Sequence, residues 1–187
     1  MDWLVEWDRS LMQFLNGIHN ETFDFLMYWI SYKFTWIPLY ALLIFLVIRY
    51  YKKKSWILIP VIFASVAITD QGANFFKHNV QRPRPCREEA QLSPPVRTLP
   101  DYHCSRYGYF SGHAANSMGA AMLITLMLLP FLPKIGYFLI PWALLNGYSR
   151  IYLGVHYPLD VISGWVFGLL IARLVFRVLD RFYLKKL

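Results

Sequence analysis

Five apolar runs, each close to the length that crosses a bilayer, leave this sequence few ways to fold. They cover about residues 35–51, 55–76, 112–129, 135–148 and 158–178. A transmembrane helix needs roughly 20 apolar residues, with about 17 as the lower limit. Lys52-Lys53-Lys54 closes the first run. The turn Pro130-Phe131-Leu132-Pro133-Lys134 is short, so the spans on either side of it are antiparallel neighbours. The chain is 57% hydrophobic and only 16% charged, where a soluble domain carries about 25% charged residues. Seven Trp and thirteen Tyr fit aromatic belts at the two bilayer surfaces. The expected fold is all-α: one polytopic transmembrane helical bundle of five to six spans over residues 1–187.

The N-terminal part is different. Residues 3–19 repeat Trp3, Leu4, Trp7, Leu11, Phe14, Leu15 and Ile18 at helical spacing, with Asp8, Arg9, Gln13 and Asn16 on the other side. That pattern predicts an amphipathic interfacial helix rather than a span. Residues 23–33 read either as a separate turn or as the outer part of the first span, and a sixth span within residues 3–33 stays open. The first eight residues are acidic and lack a basic n-region, so insertion is expected to use the spans themselves. The net charge of +8 raises nucleic acid as a partner, but the basic residues form no single stripe and no nucleic-acid motif appears. They cluster at span ends, as topology signals do. With the C-terminal tail and the 52–54 and 130–134 turns inside, ten Lys and Arg lie on the inner side and nine on the outer. This orientation puts the polar loop 78–110, with five Arg and both cysteines, outside the cytoplasm. Cys86 and Cys104 form a disulfide if that loop meets an oxidising compartment, and stay thiols if it does not.

With five spans, three short polar strings fall on one side of the membrane. Lys77 and Arg84 leave the second span, Ser111, Gly112 and His113 open the third, and Arg150 ends the fourth just before His156 and Asp160 open the fifth. Ionisable groups at such positions are expensive and read as functional by default. Lys77, Arg84 and Arg150 suit a phosphate, which arginine grips by two oxygens at once. Ser111 sits where a helix N-cap belongs, and a helix N-terminus binds anions through free amides. Gly112 lets the backbone approach closely. Pro158 suits the first turn of the fifth span. Two histidines divide the work: His156 as nucleophile at phosphorus, and His113 as acid for the leaving oxygen. Asp160, four residues after His156, orients it and stabilises its cationic form. The cations already supply the positive charge, so no metal and no cofactor are expected.

Lys77-(six residues)-Arg84-Pro85, Ser111-Gly112-His113, and Ser149-Arg150-(five residues)-His156-(three residues)-Asp160 resemble the three signature motifs of the type 2 phosphatidic acid phosphatase superfamily. These proteins are also called lipid phosphate phosphatases and share a fold with the vanadium haloperoxidases. The resemblance covers roughly residues 23–178. It implies a membrane helical bundle, a phosphohistidine intermediate, the same residue roles, and a site facing away from the cytoplasm. It further implies a lipid phosphate or diphosphate substrate, with undecaprenyl diphosphate and glycerolipid phosphates ranked ahead of lipid A. One position departs from the motif: Phe110 stands where the family usually has proline before Ser-Gly-His. Phenylalanine there suits a hydrophobic staple from the N′ position.

Each sharp reading has a plainer one beside it. Lys77 alone reads as a snorkelling span-end lysine. Asp70, Asn74, Asn116 and Ser117 either extend the site or make interhelical hydrogen bonds. His78 and His103 read as loop residues. Arg82, Arg87, Arg97 and Arg106 either attract anionic headgroups or form a solvated loop surface. The non-enzyme alternative is an anion-binding transporter or scaffold, which needs the cations but not paired histidines. A peroxidase acting on soluble substrates is a third reading, disfavoured because little chain lies outside the membrane.

Overall fold

A computed structural model describes residues 2–88, 92–99, 102 and 104–184. Helices α1 (Asp2–Gly17) and α2 (Glu21–Ser31) precede five more. These are α3 (Ile37–Tyr51), α4 (Ser55–Val80), α5 (Gly112–Leu128), α6 (Gly136–Tyr152) and α7 (Pro158–Leu179). Among the described residues there is no strand, only an isolated antiparallel bridge between Pro83 and Tyr107. The five apolar runs are thus five helices. The stretches Lys33–Val80 and Pro158–Leu184 hold helices long and apolar enough to cross a membrane. In the first, α3 and α4 fold back at Lys52, whose φ of 49° breaks the helix.

The structure adds three points to the sequence reading. α4 continues past Phe76 to Val80 and stops at Gln81, which is left-handed at φ 52°. The polar loop therefore begins three residues later, and His78 belongs to the last turn of α4. Residues 23–33 add no sixth span. α2 has 11 residues, about 16 Å of helix, and a short 3₁₀ turn at Lys33–Trp36 leads into α3. α1 is amphipathic as expected, but its polar side faces inward. Asp8, Met12 and Asn16 are buried, while Trp3, Trp7, Phe14 and Ile18 are exposed. Asn16 explains the inversion: its amide donates to the Tyr152 carbonyl at the end of α6 (2.7 Å) and to the Arg97 carbonyl (3.0 Å). His103, Lys185 and Lys186 lie outside the described residues.

α5 is the centre of the bundle and packs against α4, α6 and α7. It has no polar stripe to leave in solvent, as a helix enclosed by others requires; Met118, Leu123 and Met127 are almost fully buried. Its contact with α7 is a seam of small residues. A Cβ on Gly164 would lie 2.5 Å from the Ser111 carbonyl oxygen, and one on Gly168 would lie 2.3 Å from that of Ala115. Small residues four apart let membrane helices touch backbone to backbone. Gly168→Val is expected to lower stability by about 1–3 kcal/mol or more through overpacking. Thermal unfolding in detergent measures it, with Gly17→Ala, whose added Cβ meets nothing within 4 Å, as the silent control.

Candidate active site

The α5–α7 seam brings two helix N-termini together. Ser111 caps α5, its Oγ accepting from the Ala114 amide at 3.5 Å. The Ser111 amide donates to the Asp160 carbonyl at 2.9 Å, which ties the start of α5 to the first turn of α7. Phe110, at N′, packs with Ala115 at N4 and with Ala73, the staple its position predicts. On α7, Pro158 fills the first turn, and the Asp160 carboxylate accepts from the Tyr157 amide at 3.0 Å.

His156 lies in the tight turn between α6 and α7, not on α7 itself. The amides of Val155 and His156 both donate to the Arg150 carbonyl, at 3.1 and 3.2 Å, which folds the turn back onto the end of α6. Gly154 has φ +74°, and a Cβ there would come within 2.6 Å of the Arg97 carbonyl. Only glycine meets both demands. The result places His156 Nδ1 3.5 Å from Asp160 Oδ2, with both side chains buried.

The cations close the site from three sides. Lys77 comes from the last turn of α4, and a Cβ on Gly112 would meet its Nζ at 3.5 Å, so the ammonium lies over the bare start of α5. Arg84 is anchored by its Nε to the Tyr107 carbonyl at 2.9 Å. The Arg150 guanidinium contacts Ser31 Oγ and Tyr102 OH. Among the described residues, none of the three is paired with a carboxylate. Burial, and next the like charge of Arg150, push the Arg84 pKa down to about 10. Burial, and then Arg84, Arg150 and Lys77, hold His156 well below the ordinary imidazole pKa. An enclosed cluster of unpaired positive charge is a site built for an anion.

Lys77, Arg84, Gly112, His113, Arg150 and His156 line one cavity of about 640 Å³. Ser111 and Asp160 are fully buried behind it; the Ser111 hydroxyl serves the helix cap. The cavity extends past Asp70 and Asn116 into an apolar arm walled by Tyr40, Leu43, Ile62 and Phe63 of α3 and α4. Asp70 does both things considered for it. It accepts from Asn74 and, across helices, from Asn116, each at 3.3 Å, and it also lines the cavity. No group of three His, Cys, Asp or Glu side chains suited to a metal occurs among the described residues. The Cys86 and Cys104 sulfurs are bonded, with Cα atoms 6.4 Å apart. The Cys86 amide donates to the Gly154 carbonyl, so this cross-link abuts the His156 turn.

Residues 54–183 match the sequence profile of the PAP2 superfamily. The chain belongs to the PAP2 superfamily. As a PAP2 protein it is an integral-membrane enzyme of the lipid phosphatase class. A lipid A 4'-phosphatase of Bacteroides thetaiotaomicron is 32% identical over 171 residues, 90% of this chain and 75% of the relative. An undecaprenyl-diphosphatase of Sulfolobus acidocaldarius is 32% identical over 88% of this chain and 74% of the relative. Among solved structures, a transmembrane PAP2 phosphatidylglycerolphosphate phosphatase from Bacillus subtilis superposes with a TM-score of 0.74 at 23% identity. That likeness covers 97% of this chain and 89% of the other, and establishes a shared PAP2 fold.

Sequence reasoning missed the residues that brace this PAP2 site. Ser31 and Tyr102 hold Arg150 from 119 and 48 residues away, and no local pattern marks either. Gly108 had no assigned part, yet a Cβ there would meet Asp160 Oδ2 at 2.9 Å and Arg84 Cγ at 3.2 Å. Arg82 and Arg97, considered as headgroup attractors, are engaged within the protein instead. Arg82 pairs with Asp8 and Asp160, and Arg97 with Asp24.

Proposed function

We propose that this chain releases phosphate from a lipid phosphate or diphosphate headgroup through a phosphohistidine on His156. The observation that carries the reading is the single cavity that joins two histidines, and three cations with no carboxylate partner among the described residues, to an apolar arm. Lys77, Arg84 and Arg150, with the free amides at Gly112, hold the phosphoryl oxygens. Asp160 faces Nδ1 of His156, leaving Nε2 to attack phosphorus. The N–P bond forms as the P–O ester bond breaks, and His113 gives the departing oxygen its proton. In the second half, His113 takes a proton from water, the water oxygen bonds to phosphorus, and the N–P bond breaks to release phosphate. The lipid tail lies in the arm between α3, α4 and α5.

Undecaprenyl diphosphate and glycerolipid phosphates are the first substrates proposed. Lipid A phosphate is the second, favoured by the relative of that activity that matches 90% of this chain. The protein sits in the cytoplasmic membrane with its site facing the periplasm or cell exterior. The bonded cysteines on the site side support that orientation, since disulfides persist in oxidising compartments. A panel of these lipids, assayed in detergent against wild type and His156→Ala, tests the substrate. One lipid is expected to stand well above the rest, and hydrolysis of none sinks the reading.

The depressed pKa of His156 sets an expectation for pH. A lowered imidazole pKa means the ring sheds its proton at lower pH, so the neutral nucleophile persists below 6.5. The acid limb of kcat/KM, which reports the free enzyme, is therefore expected on the acidic side of 6.5. It is measured after correction for the substrate's own phosphate ionisation near pH ~6.

A further inference from the structure

Asp160 uses both carboxylate oxygens. Oδ2 accepts from the Tyr157 amide and faces His156, while Oδ1 accepts from Arg82 Nη1 at 2.9 Å. The other arm of the same guanidinium, Nη2, donates to Asp8 Oδ2 at 2.6 Å. Asp8 in turn accepts from the Leu159 amide at 2.9 Å, one of the orphan donors at the start of α7. The Arg82 guanidinium also lies over the Tyr157 ring, 4.2 Å from its centroid. Asp8 and Asp160 are both fully buried, and Arg82 lines no part of the cavity.

We infer that Arg82, held in place by Asp8 of α1, is a positioning residue that aims the Asp160 carboxylate at His156. The chain of contact runs Asp8–Arg82–Asp160–His156, and it makes the N-terminal helix a working part of the active site. A forked guanidinium spans two carboxylates at fixed angles; a lysine ammonium is a single point of charge and cannot do so. Without Arg82, Oδ1 of a buried carboxylate loses its charged partner and the group is free to turn away from His156. Partners that orient a reacting group from behind typically contribute 10–100-fold. The inference rests on the roles proposed above for His156 and Asp160.

The test uses the full chain in detergent, with phosphate release from dioleoyl phosphatidic acid or whichever lipid the panel selects. Arg82→Gln is expected to lower kcat by about 10–100-fold with KM within about two-fold, because Arg82 does not touch substrate. Arg82→Lys recovers part of the loss. Asp8→Asn loses less than Arg82→Gln, and the double variant is no worse than Arg82→Gln alone, as expected of residues acting in series. Wild-type kcat in folded Arg82→Gln overturns the inference, as does a loss confined to KM or one that adds to that of Asp8→Asn. Should Arg82→Gln fail to fold, Asp8→Asn decides, and unchanged kcat there counts against it. His156→Ala serves as the control. Activity in that variant removes the phosphohistidine reading, whereas an inactive His156→Ala beside a normal Arg82→Gln removes only the role of Arg82.

Discussion

Replacing His156 by alanine is expected to reduce phosphate release by about 10⁴-fold or more, the scale seen when a covalent nucleophile is lost. The fold should survive. The His156 amide, which closes the turn on the Arg150 carbonyl, is kept by alanine. Asp160 keeps its bonds to the Tyr157 amide and Arg82. What disappears is the ring nitrogen proposed to bond to phosphorus. Two measurements check this together: steady-state phosphate release, and an acid-labile phosphoprotein trapped from labelled substrate in wild type and absent in the variant. Full turnover in His156→Ala would rule out the covalent route.

Arg150→Met separates catalysis from stability. Arg150 is buried, its Nε has no partner among the described residues, and no carboxylate there pairs with it. In its proposed role as a cation holding the transferring phosphoryl oxygens, loss of Arg150 is expected to lower kcat/KM by about 10²–10³-fold. The ligand-free protein should nevertheless become more stable, because a buried unpaired charge is replaced by an apolar side chain of similar length. Ser31 and Tyr102 are not orphaned, since their hydroxyls already share a hydrogen bond at 2.9 Å. A higher unfolding temperature with lost activity is the expected result. A lower unfolding temperature would mean that Arg150 is chiefly a structural brace.

The spans were legible because lipid imposes a simple rule on sequence. Runs such as 35–51 and 158–178 must be predominantly apolar, and their ends carry turns, prolines and ionisable residues such as Arg49, Asp160 and Arg177. The helix starts at Ser111 and Pro158 were legible because capping chemistry is local. The seam between α5 and α7 also had a local mark, Gly164 and Gly168 four apart, which went unused. The polarity of α1 was not legible. Periodicity shows that Asp8 and Asn16 share a face but not which face meets the protein, and in a membrane the apolar side turns outward. Nor was the engagement of Arg82, since its partners lie 74 and 78 residues away and only folding brings them together.

The glycine seam sets the distance between the two histidine-bearing ends with backbone alone. α3 stands apart from that seam and supplies Tyr40 and Leu43 to the wall of the apolar arm. α3 carries none of the cations or histidines of the site, so this part of the arm is separable from the chemistry, whereas α4 serves both, with Ile62 and Phe63 on the wall and Lys77 at the site. Transplanting α3 from a relative with another lipid preference should carry the preference with it while the reaction centre stays as it is. Diversification within this fold has a cheap route: one replaceable wall beside a fixed reactor.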